Sequence, residues 1–246
     1  KMREEKPFAV MALNAASLSE FTHIHPEQLA LLNSPAAPIV LSPKTGMELA
    51  GVAPGLAELG VMLPSTPLHL LLWHEAAGRP AGTDWLDQAS DLLLVMTSAN
   101  PLGEPLVIDN DEALQRLHGI ADAFLWHDRA IVVRCDDSVL RATPDGPSFI
   151  RRARGYVPLP IPLNKGGPSV LALGAYLKNT VCVLRGKEAF LSQHIGGLDN
   201  AAAIAFQEET VRHLLAILDV QPALITHDLH PDYPSSHLAQ RLAEEF

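Results

Sequence analysis

The sequence predicts an α/β fold, and three observations carry that reading. Apolar residues make up 48% of the 246-residue chain and are dominated by Ala, Leu, Val and Ile, with only 5% aromatics, as in enzymes built on buried sheets. Asp91–Thr97 (DLLLVMT) is a near-continuous apolar run, the pattern of a central strand covered on both faces. Strand-like and helix-like stretches alternate along the chain. They are interrupted once, at Val157–Pro168, by four prolines and two glycines that mark a domain boundary.

Residues 8–13 (FAVMAL) read as a strand, residues 26–33 as a short helix opened by Pro26, and residues 38–41 (PIVL) as a buried strand. Residues 49–64 are punctuated by Gly and Pro and read as loop. Residues 67–77 (PLHLLLWHEAA) have helical periodicity behind a leading proline, and a loop fills 78–90. A second helix is expected at 110–118, capped by Asn110 and ended by Gly119. Short strands are expected at 123–126, 131–134, 138–141 and 148–152. Beyond the boundary come a strand at 170–174, a hairpin turning at Arg185-Gly186-Lys187, a long amphipathic helix at 200–218, a strand at 224–226 and a helix at 234–245. The expected domains are therefore 1–160, a linker at 161–168, and 169–246. The second has few elements for an independent core.

The formal charge of −10 argues against broad binding to nucleic acid or to an anionic membrane. Cys135 and Cys182 are too few for a disulfide framework, have no zinc spacing, and read as buried structural thiols. No run of eighteen apolar residues and no signal peptide is seen, so a cytoplasmic protein is expected.

On this acidic chain the basic residues cluster. Six of the eighteen Lys and Arg residues are Arg129, Arg134, Arg141, Arg151, Arg152 and Arg154. So many neighbouring guanidinium groups repel one another, and one bound anion relieves that repulsion. Arginine suits the task because its planar fork meets phosphate or carboxylate bidentately. The turn Asp136-Asp137-Ser138 inside the cluster offers a hydroxyl for a phosphate and carboxylates to orient arginines or a metal; the alternative is a solvated turn with surface ion pairs. Thr97-Ser98-Ala99-Asn100 ends the apolar run, where open α/β sheets present ligand crevices, though a plain polar turn explains it as well. His227, Asp228 and His230 in HDLHPD have ligand-like spacing, but polar residues capping a strand-to-helix turn are an even alternative. Lys178 and Thr180, in GAYLKNT, sit near a strand junction without P-loop spacing.

Taken together, KMREEKPFAVMA, SPAAPIVL, APGLAELGVMLPSTPLHLLL, LVMTSANPLGEPLVIDNDEAL, IADAFLWHDRAIVVRCDDSVLR and IRRARGYVPLPI resemble the YrdC-like domain of the HypF carbamoyltransferase family. LALGAYLKNTVCVLRGKEAFLSQHIGGLDN and LITHDLHPDYPSSHLA resemble the start of that family's next domain, of ASKHA type, the actin-like ATPase fold. The resemblance implies a YrdC-like twisted mixed-sheet domain followed by a partial ASKHA-type α/β domain. It also implies a chemistry: carbamoyl phosphate and ATP as substrates, carbamoyl-adenylate as product, Mg²⁺ with the nucleotide, and HypE as the protein acceptor whose C-terminal cysteine receives the carbamoyl group in nickel–iron hydrogenase maturation. Lys1 and Arg3 match the family's KxR, and Ser98 and Asn100 its SxN. Ser138 falls in its nucleotide-binding segment. Lys1, Arg3 and Arg141 are the implied catalytic residues, and Arg152 and Arg154 further phosphate contacts. Pro64, Ser65 and His69 are expected to line the same cleft, and Lys178, Asn179 and Thr180 to form the first phosphate loop of the ASKHA-type part.

The departures are as informative. The acylphosphatase domain, the early YrdC-like strands and the later HHHAH-type motif have no counterpart, so an internal piece of a longer protein is expected, with open sheet edges prone to aggregation. Zinc is expected only in the full-length parent. Two other functions compete: a threonylcarbamoyl-AMP synthase on the same scaffold, which the tail after Gly167 disfavours, and a non-catalytic nucleotide- or RNA-binding module, which the negative charge disfavours.

Overall fold

A computed structural model describes residues 7–246 as a mixed α/β protein. The chain divides into two compact units: the stretch ending at Ser98 together with Asp137–Gly155, and Ala99–Asp136 together with Tyr156–Phe246.

The first unit is a six-stranded sheet. Its strands are β1 (Ala9–Ala12), β2 (Ile39–Pro43), β3 (Glu58–Met62), β4 (Leu93–Met96), β5 (Val139–Thr143) and β6 (Gly146–Arg151), in the order β4-β1-β3-β2-β5-β6. β1 runs parallel to β3 and β2 parallel to β5, while the other pairings are antiparallel. All four residues of β1 are buried, which makes it a central strand. Its neighbour β3 lies in the stretch the sequence reads as loop, because Gly and Pro around it hide five strand residues. Gly60 within β3 packs closely: a Cβ there would sit 3.2 Å from Ile39 Cγ2, a tight contact. The apolar run at 91–97, expected as a central strand, is instead the edge strand β4, with Val95 53% exposed. An apolar run reports affinity for a core but not how many neighbours a strand acquires.

Helix α1 (Pro26–Leu32) and helix α2 (Pro67–Ala76) complete this unit. Thr66 starts α2 by accepting the His69 backbone N–H at 3.2 Å, and Pro67 occupies its first turn. Met11, Leu13, Met62 and Trp73 form the core beneath α2, and Trp73 Nε1 donates to the Leu92 carbonyl at 3.3 Å.

In the second unit, helix α3 (Asn110–Arg116) is capped by Asp109 rather than Asn110: one carboxylate oxygen accepts the N–H groups of Asp111 and Glu112, each at 2.9 Å. The stretches 123–126 and 131–134 form no strand. Strands β7 (Ile161–Ala172), β8 (Cys182–Leu191) and β9 (Leu224–Thr226) make a sheet of order β8-β7-β9. Residues 161–168, expected as linker, are thus the first part of a long strand. Their prolines are tolerated because β9 pairs only with Val170–Ala172, and the register with β8 shifts between Pro162, Gly167 and Val170. Arg185-Gly186-Lys187 lies inside β8, and the chain turns earlier, between Ala172 and Cys182.

Helix α4 (Ala201–Leu218) is capped by Asn200, which accepts the Ala203 N–H at 2.9 Å, and it ends at Asp219 in the left-handed region. Helix α5 (Pro234–Glu245) packs with it over the sheet. Twelve buried apolar residues, among them Leu171, Val183, Val211, Leu214, Leu238 and Leu242, form one core. It is larger than the sparse elements suggest, because α4 alone contributes four of them.

Gly155 closes the first unit at φ +85°, and a Cβ there would fall 2.5 Å from Ala36 Cα. Gly155→Ala is therefore expected to destabilise by roughly 2–5 kcal/mol, combining left-handed strain with overpacking. Gly82→Ala, at φ +71° with open space around it, is expected to cost about 1–2 kcal/mol. Urea unfolding of the two variants checks the contrast.

Candidate functional site

A cleft of about 560 Å³ opens in the first unit, of the size that holds a small ligand. Leu13 and Asn14 after β1, Leu32 at the end of α1, Ala37 before β2, and Pro64 and Ser65 before α2 line it. Of the residues expected to share one cleft, Pro64 and Ser65 line this one. His69, one turn into α2, reaches back so that its Nδ1 accepts the Ser65 backbone N–H at 3.2 Å.

Neither His69 nor Arg154 lines the cleft itself; Arg154 is tied to its wall through Ala37. Its Nε donates to Asp137 Oδ1 at 2.7 Å, and its Nη2 donates to the carbonyl of the wall residue Ala37 at 3.0 Å. Ser138, between these partners, is fully buried. Its hydroxyl donates to the Arg154 carbonyl at 2.9 Å and accepts the Ala153 N–H at 2.8 Å. The Ser138 hydroxyl, expected to meet a phosphate, is thus spent on fastening the start of β5 to the 153–154 segment. Burial, then the charge of Arg154, hold the His69 pKa below its ordinary value of 6.5, while Asp137 works the other way.

The remaining arginines separate. Arg141, on β5, grips Glu58 of β3 with Nε at 2.9 and 3.0 Å and Nη2 at 2.5 Å, and these hydrogen bonds push its pKa up. Arg152 is half-buried, and burial pushes its pKa down. Arg134 belongs to the second unit. There it meets Glu209 at 2.5 Å, the Leu106 carbonyl at 2.8 Å and the Phe206 ring, rather than Asp136 or Asp137 as its sequence neighbours suggest. The SxN pair is divided as well: Ser98 ends a stretch of the first unit, whereas Asn100 lies in the second and donates to the Glu104 carbonyl at 2.5 Å. Lys1 and Arg3 lie outside the described residues.

Lys178, Asn179 and Thr180 do sit between β7 and β8, and Lys178 is exposed at φ +49°. Asn179, however, is 1% exposed and works inward. Its Nδ2 donates to the carbonyls of Leu173 at 2.9 Å and Ala175 at 2.6 Å, and its Oδ1 accepts from the fully buried Gln207 at 3.3 Å. The HDLHPD turn is likewise knitted to itself. His227 Nδ1 lies 2.6 Å from the Asp228 carbonyl, Asp228 accepts the His230 N–H at 2.9 Å, and the His230 ring stacks on Tyr233 at 4.2 Å. Among the described residues no three His, Cys, Asp or Glu side chains converge as metal ligands, and the turn is tied to the start of α5 by Ser236, whose hydroxyl donates to the Asp228 and His230 carbonyls at 3.1 and 2.8 Å.

Sequence reasoning misses Glu58, Leu13, Asn14 and the Ala37 carbonyl. Glu58 and Arg141 are 83 positions apart, and no local spacing signals their pairing.

Two outcomes are expected. Asn179→Ala removes the donor to the Leu173 and Ala175 carbonyls and one of the two acceptors of the buried Gln207 amide, whose other bond, to the Leu173 carbonyl at 3.0 Å, remains; a cost of about 1–3 kcal/mol is expected, readable by thermal or urea unfolding. His69 resists protonation in the folded protein more than in the unfolded chain. Unfolding therefore takes up a proton below about pH 6.5, and stability falls as the solution is acidified from there. In His69→Gln the fall is shallower, as urea midpoints measured across that range will report.

Residues 1–153 match the family model Sua5–YciO–YrdC, described as telomere recombination, and residues 165–246 match the HypF Kae1-like domain. Carbamoyltransferase HypF2 of Cupriavidus necator is 58% identical over 100% of this chain and 31% of its own length. Carbamoyltransferase HypF of Rhizobium leguminosarum bv. viciae is 52% identical over 98% of this chain and 31% of its own length. The crystal structure of a full-length HypF in its phosphate- and nucleotide-bound form superposes with a TM-score of 0.87 at 42% identity, covering 97% of this chain and 36% of that one. HypF of T. kodakarensis gives the same TM-score of 0.87 at 37% identity, over 99% of this chain and 30% of its own. The chain thus spans about 31% of the length of these curated relatives. Among the described residues no helix is long and apolar enough to cross a membrane. The chain belongs to the HypF family, its first 153 residues matching the YrdC-type model and residues 165–246 the Kae1-like domain.

Proposed function

We propose that this chain carries the nucleotide-activating domain, and the opening of the carbamoyl-transfer domain, of a HypF-type carbamoyltransferase. In this reading a carbamate oxygen attacks the α-phosphorus of ATP, and the α–β bridging bond breaks to release pyrophosphate. The product is carbamoyl-adenylate. The C-terminal cysteine thiolate of HypE then attacks the carbamoyl carbon and displaces AMP, a step in hydrogenase maturation. Hydrolysis of carbamoyl phosphate, with release of inorganic phosphate, supplies the carbamate; the resemblance assigns that step to the acylphosphatase domain of the full-length parent.

The observation that carries the reading is Arg154. Its guanidinium is fixed in plane by Asp137 and the Ala37 carbonyl against the wall of the 560 Å³ cleft. A fixed cation of this kind needs no reorganisation when charge builds on phosphoryl oxygens, which is where catalysis of phosphoryl transfer resides. Ser65, Ser98 and Arg152 are assigned to the remaining phosphate contacts, and Lys1 and Arg3 to the reacting centre. Arg141 joins them only by exchanging Glu58 for a phosphate oxygen. In the second unit Lys178 and Thr180 are assigned to a phosphate of the ligand, with Asn179 holding their loop. Magnesium enters with ATP: the described residues bring no three ligands together for it, and none of these steps depends on it.

The relatives support carbamoyl rather than threonylcarbamoyl chemistry, because residues 165–246 match the HypF Kae1-like domain. In the full-length parent, pyrophosphate release from ATP is expected with carbamoyl phosphate and not with threonine plus bicarbonate; the reverse result overturns the reading. Arg154→Ala is expected to weaken ATP binding by about 10- to 100-fold, the worth of one charge-assisted hydrogen bond, as calorimetry will show. Arg141→Ala is expected to weaken it less.

A further inference from the structure

Two groups beside Arg154 touch no reacting atom in the steps above. Asp137 accepts from Arg154 Nε, and Ala37 accepts from Nη2. These bonds hold the guanidinium by Nε and Nη2, and among the described residues no acceptor is found for Nη1. Ala37 holds φ at +42°, a conformation costing an L-residue about 1–2 kcal/mol. That strain is kept where it helps aim a carbonyl at Arg154.

His69 is the second group. Its Nδ1 accepts the Ser65 N–H, so the neutral ring carries its proton on Nε2. A proton added at Nδ1 must displace that amide. Ser65 is a lining residue of the cleft, so protonating His69 at Nδ1 frees the backbone N–H of a residue of the cleft wall. The charges acting on the ring are Arg154, which opposes protonation, and Asp137, which favours it. Burial opposes it as well. An oxyanion on Arg154 would neutralise one opponent and give the released Ser65 N–H an acceptor.

We propose that Asp137 and His69 are the adjustable part of an oxyanion seat: Asp137 positions Arg154, and His69 takes up one solvent proton at Nδ1 when a nucleotide phosphate binds, handing the Ser65 N–H to that phosphate. The step forms one N–H bond on the ring and changes no covalent bond of the ligand. It rests on the nucleotide reading above. The bound state holds one proton more, so affinity strengthens as pH falls, by up to about tenfold per pH unit between the free and bound pKa values of His69.

The test follows the His69 ring of the ¹⁵N-histidine-labelled chain by NMR from about pH 5 to 8, with and without ATP, beside calorimetry of ATP binding. In the free protein the ring titrates below 6.5. ATP is expected to raise that midpoint by about one unit. Asp137→Asn is expected to lower the free midpoint further and to weaken ATP about tenfold, the worth of one charge-assisted bond. Asp137→Glu restores most of that loss. In His69→Gln the histidine-dependent part of the pH slope disappears, which keeps the idea testable should Asp137→Asn fold poorly. ATP binding by calorimetry with an unmoved His69 midpoint, or an unaltered pH slope in His69→Gln, overturns this inference and leaves the nucleotide reading standing. No ATP binding at any pH overturns both.

Discussion

The first unit depends on one crossing of chain segments. Ser138, with no exposure, ties the start of β5 to Ala153 and Arg154, and the Asp137–Arg154 pair closes over the same junction. Ile39 donates its N–H to the Ser138 carbonyl at 2.8 Å, so β2 is registered from the same point. A buried hydroxyl that both donates and accepts is satisfied on the spot, and that lets it sit in a dry junction without penalty. The ion pair above it is about a third exposed, so it contributes direction more than stability. One polar joint thereby fixes a strand register and the heading of a cation.

Asn179 plays the corresponding part in the second unit. Its backbone exchanges hydrogen bonds with Ile195 and Gly196, and its amide spans Leu173, Ala175 and Gln207. The loop between β7 and β8 is thus held from the α4 side, which presents Lys178 outward on a rigid base. Both units use a small buried amide or hydroxyl to hold the backbone of, or beside, a basic residue.

The sequence made these joints only partly legible. FAVMAL, the α2 stretch and 200–218 declare themselves by period, because their burial is set by their own spacing. The edge position of β4 does not, since it depends on which strands arrive later in the chain. β3 hides for a related reason: Gly60 reads as a breaker, yet its missing side chain is what lets Ile39 lie against it. The strand at 161–168 is masked by prolines that harm a strand only where a second neighbour would need their N–H. In the cleft, the types of residue were legible and their duties were not. Ser138, among acids and arginines, and Asn179, beside Lys178 in the second unit, look like ligands to a phosphate because a hydroxyl or amide serves a ligand and a backbone equally well, and only burial separates the two. Asp137 could be read as an orienting acid from its place beside arginines, whereas Glu58 could not, because sheet pairing brings it to Arg141.

The contact between Gly155 and Ala36 bears on how variation in this region is to be interpreted. Glycine at 155 is demanded by the backbone of a neighbouring segment, not by any ligand, yet it immediately follows the arginine assigned to the phosphate. A mutational scan scored by activity would mark positions 154 and 155 as equally intolerant. The two intolerances differ in kind: one is chemical and can be offset by ligand concentration, while the other is geometric and cannot. Titrating substrate against each variant therefore separates residues that hold the ligand from those that hold the holder.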